Sequence, residues 1–153
     1  MIRLTILIVL FTISSIVKGQ DGFTHIFARG GVVYKNAGQV SAGFDFASKF
    51  HNAYELSFSY YRATSAYENY LFGLNYKPVI LRKKNTNLRF RFGGYIGTDL
   101  GGFVAAPNAG LEWIQSLSGQ VDLFIANNNG YFFWAHNNQR WRATAEIGVR
   151  FPF

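Results

Sequence analysis

The chain has 153 residues, 49% of them hydrophobic and 18% aromatic, with only 15% charged and a formal net charge of +7. That length supports one domain, and so many aromatics with so few charges exclude a disordered chain. Because cysteine is absent, a disulfide scaffold, a thiolate metal site, a cysteine nucleophile and a lipid-anchored N-terminal cysteine are excluded too.

Residues 1–19 read as a signal peptide. Arg3 gives the positive start, Leu4 to Val17 run 14 residues without a charge, and Val17-Lys18-Gly19 puts small residues at −3 and −1 before Gln20. Such a run fits a signal h-region and is short for a membrane helix, which needs about 20 apolar residues. Residues 20–153 are then expected to be one exported domain.

Beyond Gln20 the dominant pattern has period two. Val40, Ala42, Phe44 and Phe46 alternate with Ser41, Gly43 and Asp45; Leu88, Phe90 and Phe92 alternate with Arg89, Arg91 and Gly93. Near the end, Trp141 to Phe151 alternate with Arg142, Thr144, Glu146, Gly148 and Arg150. Side chains two apart share one face of a strand, so each segment has an apolar and a polar face. Eight such segments are predicted, over 24–34, 38–47, 53–63, 67–81, 87–98, 105–115, 119–135 and 140–151, with Asn, Gly and Ser clusters between them. Pro78 lacks an N–H and is expected at a bulge or strand edge. Asn127 to Gly130 reads either as a turn or as a kink in one long seventh strand.

Eight antiparallel strands can close into a soluble or a membrane barrel; the charges favour the second. The polar face carries Arg29, Arg89, Arg91, Arg142 and Arg150 against Asp45, Glu55, Glu112, Asp122 and Glu146. A solvated surface needs no such balance, whereas a narrow interior does, because buried charge must be paired and hydrogen-bonded. The expected fold class is therefore all-β, an eight-stranded antiparallel up-and-down transmembrane barrel. Its interior is expected to be a structural plug of ion pairs and its opposite face to meet outer-membrane lipid. The terminal alternation through Phe151 to Phe153 resembles the end-strand signal by which the assembly machinery recognises bacterial outer-membrane barrels.

No catalytic, cofactor or metal site is expected. His25, His51 and His136 fall in separate places, His136 has no serine beside it, and Gly93-Gly94-Tyr95-Ile96-Gly97 opens no helix, so phosphate binding lacks support. Removing Arg3 and Lys18 leaves +5, assigned to rims and loops, where Asp21, Glu68 and Asp99 are taken as the acidic residues. Lys77, Arg82, Lys83 and Lys84 cluster there as a solvated turn beside lipid headgroups or a docking patch for an acidic partner. A single short basic turn without interleaved aromatics gives no ground for nucleic-acid binding. Tyr and Trp near strand ends fit interfacial girdles. The run Tyr131-Phe132-Phe133-Trp134 cannot all face lipid on one strand, so two of the four should point inward or out to a partner; it is read as an external hairpin contact surface, the alternative being part of the girdle.

Two stretches carry a family resemblance. Tyr76-Lys77-Pro78-Val79-Ile80-Leu81 leads through Arg82-Lys83-Lys84-Asn85 into the Leu88–Ile96 strand. Later, Gly110-Leu111-Glu112 and Val121–Ile125 precede Trp141-Arg142-Ala143 and Ile147-Gly148-Val149-Arg150-Phe151-Pro152-Phe153. These strand patterns resemble the conjugative-transposon TraO family of Bacteroidetes. The resemblance implies a small, non-enzymatic outer-membrane barrel that works with other transfer-apparatus proteins, with no catalytic residues to carry over. The alternatives are a generic surface barrel for adhesion or protection, a lipid-modifying hydrolase and a small pore.

Overall fold

The computed structural model describes residues 24–34, 37–63, 68–118, 120–135 and 140–153; the expected signal peptide and His136 lie outside them. Nine strands follow one another: β1 (Thr24–Val33), β2 (Ala37–Ala47), β3 (Ala53–Ala63), β4 (Glu68–Lys77), β5 (Val79–Lys83), β6 (Thr86–Asp99), β7 (Gly102–Ser118), β8 (Val121–Tyr131) and β9 (Trp141–Pro152). Every pairing is antiparallel. Neighbours run β4-β3-β2-β1-β9-β8-β7-β6-β5, and an additional β4–β6 pairing closes the sheet. The predicted fourth strand is thus divided at Pro78 into β4 and β5, which both lie along β6 and make a single stave of an eight-staved barrel. The Phe90 N–H donates to the Pro78 carbonyl at 3.0 Å, so the ladder bridges the residue that cannot donate.

The staves are strongly staggered. From Tyr34, whose N–H bonds the Ala143 carbonyl, partners lead through Asn129, Ala109, Phe92, Tyr76, Tyr54 and Phe46 to Thr24, from position 34 to position 24 of the same strand. That shear demands steep tilt, and eight staves keep the bore narrow. Inward glycines let the staves close in: a Cβ at Gly43 would press on the Leu56 carbonyl oxygen, and one at Gly93 on that of Leu74.

Asn127 to Gly130 is neither a turn nor a kink. Those residues hold unbroken register with Leu111 to Asn108 on one side and Ala145 to Arg142 on the other. Both termini of the described barrel lie at one end, where the Phe153 N–H bonds the Thr24 carbonyl. We call this the terminal end and its opposite the distal end.

Polarity is inverted relative to a water-soluble protein. Glu55 and Arg91 are 0% exposed, whereas Leu74 is 58% and Ile125 52% exposed. Isolated exposed apolar residues are ordinary, but a continuous apolar outer wall around a charged interior calls for a hydrocarbon surround. No helix among the described residues is long and apolar enough to cross a membrane. The strands are the crossing elements, and a closed barrel leaves no unpaired edge in lipid.

Candidate functional site

Strand parity builds the lumen. All ten side chains of the balanced set are buried and turned inward. Glu55, on β3, is the hub: it accepts from Arg29 on β1 at 2.9 Å, from Arg91 on β6 at 2.9 Å and from Lys77 on β4 at 3.1 Å. Glu146, on β9, forms an ion pair with Arg29 at 3.0 Å and accepts from Arg91 at 3.4 Å and from the Gln39 amide at 3.1 Å. Nearer the terminal end, Lys77 reaches Asp45 at 2.7 Å and Glu112 at 3.1 Å, and Arg150 reaches Asp122 at 2.7 Å. Arg89 lies 4.0 Å from both Asp45 and Glu112 and donates to the His51 carbonyl at 3.2 Å. Five carboxylates and five cations here join all eight staves, and most groups serve more than one partner. Sharing of this kind is what keeps charge tolerable away from water.

Arg142 is held differently. Its guanidinium lies 3.9 Å from the Phe132 ring centroid and 4.5 Å from that of Tyr61. Tyr95 lies near-parallel to Phe132, at 6.5 Å, and accepts from the Asn128 amide at 2.6 Å. With Leu71, Val104 and Ala106 these rings close the distal half of the bore. A hollow of about 10 Å³ beside Tyr95, Asn128, Phe132 and Arg142 has room for about one water.

Two expectations are corrected. Lys77 is not a rim residue available to a partner: it is 1% exposed. Tyr76 points outward, so its successor must point in, and burial between three carboxylates accounts for the charge. Phe132 is likewise no external contact, being 4% exposed and part of the distal closure. Its neighbours Phe133 and Trp134 are exposed at the lip, where the Phe133 N–H bonds the Ala105 carbonyl. Arg82, Lys83 and Lys84 are exposed at the β5–β6 turn.

Asp99 was also missed, assigned to a rim although it shares the parity of Tyr95 and is fully buried. Among the described residues the lumen therefore holds six cations, with Lys77 added, against six carboxylates, with Asp99 added. The balance expected from five of each persists. His25 and His51 both lie at the terminal end. Among the described residues no group of three histidine, aspartate or glutamate side chains is arranged to hold a metal ion.

No protein-family model matches the chain, and no curated protein does. Solved structures do. The N-terminal β-barrel domain of Pseudomonas aeruginosa OprF matches with a TM-score of 0.62 at 15% identity, covering 88% of this chain and 98% of that one. Neisserial surface protein A matches with 0.54 at 13%, covering 86% and 97%. The outer membrane enzyme PagL matches with 0.57 at 8%, covering 84% and 99%. At these identities the likeness is one of fold. The chain has the fold of the small outer-membrane β-barrels, and its inverted polarity suits it to a bilayer. That fold carries an enzyme as readily as other proteins, so function has to be argued from residues.

Proposed function

We propose that the chain is a non-catalytic structural and interaction component of the bacterial outer membrane, serving a conjugative transfer apparatus of the kind the TraO resemblance implies. The observation that carries the first part is the lumen. Charges neutralised across eight staves, under an aromatic closure, leave neither a water-filled path nor an open reactive cleft, so the working parts are the wall and the rims. Phe151 and Phe153, both exposed at the end of β9, suit recognition by the assembly machinery. Other transfer-apparatus proteins would be met at the exposed lip and at the basic β5–β6 turn.

The link to conjugation rests on sequence resemblance, and mating tests it. Deleting the coding sequence from a donor is expected to cut transfer frequency, with recovery when it is supplied in trans. Undiminished transfer would leave a generic surface barrel as the better reading.

A further inference from the structure

The outer wall is not uniform. Across β2 to β6 it presents large apolar and aromatic side chains: Phe44, Phe58, Tyr70, Phe72, Leu74 and Phe92. In the distal half of β7, β8 and β9 it presents Pro107, Ala109, Ala143 and Ala145 around two amides, Asn127 and Asn129, with Leu111, Ile125 and Ile147 toward the terminal end. The low wall continues over Gly30, Ala28 and Ala42, where a recess of about 670 Å³ opens between Phe58 and Leu123.

Asn127 and Asn129 lie within the apolar belt. On β8 they follow Leu123 and Ile125 and precede Tyr131; on the flanking strands, Trp113 lies toward the terminal end, and Phe103 and Trp141 toward the distal end. Interfacial aromatics thus bracket them. Asn127 is four residues short of Tyr131, about 13 Å along the strand and about 9 Å along the membrane normal at a tilt of about 45°. That depth is well inside a belt about 25 Å tall. Their single mutual bond, Asn129 Nδ2 to Asn127 Oδ1 at 3.4 Å, leaves the Asn127 amide N–H groups and the Asn129 oxygen facing hydrocarbon. Lipid supplies no partner for them.

We propose that this wall is the interface of a homodimer in the membrane, with the Asn127 and Asn129 amides of two copies hydrogen-bonding across a two-fold axis. A primary amide both donates and accepts, so the patch is complementary to itself, as an isologous contact requires. Flanking Ala, Pro and Gly let two walls approach closely enough for short side chains to meet, the arrangement by which small and polar residues join membrane segments. The inference rests on the membrane fold and not on a role in conjugation.

The chain has no cysteine, so single-cysteine variants report proximity cleanly. Each is refolded into phosphatidylcholine vesicles, with heat-modifiable migration confirming the folded barrel in the same sample. Under mild oxidation Ala109→Cys and Ala145→Cys are expected to give disulfide-linked dimers, and Phe72→Cys, on the opposite wall, is not. Combining Ala145→Cys with Asn127→Leu and Asn129→Leu is expected to keep the barrel folded and weaken dimerisation roughly tenfold. The proposal is overturned if folded wild-type barrels stay monomeric on concentration in the bilayer. Equal cross-linking from Phe72→Cys, or undiminished cross-linking after both asparagines are replaced, overturns it as well.

Discussion

The terminal and distal halves of the bore solve one problem in two ways. In the terminal half, cations are met by carboxylates: Glu55 alone receives Arg29, Lys77 and Arg91. In the distal half, Arg142 lies between the rings of Phe132 and Tyr61, among apolar side chains, buried amides and Asp99. A carboxylate network ties staves distant in sequence, such as β3 with β6, but each member removed leaves an uncompensated buried charge. A guanidinium against rings draws on a weaker and less directional attraction. The terminal half should therefore be the brittle one.

Glu55→Ala is the severest test of that difference. It strips a shared partner from three buried cations, and breaking even one buried pair costs about 3–5 kcal/mol. Refolding yield and denaturant stability in one bilayer composition should fall by at least that much. A loss under about 1 kcal/mol, well below that range, would mean water enters the network and screens it. The wild-type barrel should carry no steady single-channel current in planar bilayers, and sustained conductance would contradict the plug directly. Somewhat smaller is the effect expected on the outer wall: Phe90→Lys should cost about 2–4 kcal/mol if it lies near the midplane, and Phe90→Leu little. If Glu55→Ala were silent while Phe90→Leu proved costly, the barrel would be inside out, with Phe90 in a packed core and Glu55 in water.

Much of this contrast was legible in the sequence, because strand parity and charge balance are local readings. Ten inward charges, the closure class and the special status of Pro78 follow from alternation alone. What failed was the weighing of parity against proximity to a turn. Lys77 adjoins Arg82 to Lys84 in sequence and was grouped with them, although Tyr76 already fixed its direction; Asp99 was lost the same way at the end of β6. Which carboxylate meets which cation depends on the stagger around the barrel, and a single sequence does not reveal shear. Arg91, for example, takes two carboxylates from different staves, Glu55 and Glu146. Phe132 continues the inward parity of Asn128 and Gly130, its N–H still bonding the Arg140 carbonyl, a direction that the four consecutive aromatics obscure.

The smallest effect is expected where Arg142 sits, and it separates charge from shape. Arg142→Lys keeps the cation for any carboxylate nearby, including Asp99, but replaces a flat guanidinium with a compact ammonium that cannot stack. If the rings do the holding, the change should cost about 1 kcal/mol, and Phe132→Leu a similar amount. The two losses should not add: a double-mutant cycle should return a coupling of about 0.5–1 kcal/mol, because each variant removes the same contact. The corresponding cycle between Arg142 and Leu71, which contributes apolar surface to the same closure, should couple more weakly. Additive losses for Arg142→Lys and Phe132→Leu would mean that Arg142 is held by opposite charge as the other lumen cations are, and the two halves of the bore would then obey one rule.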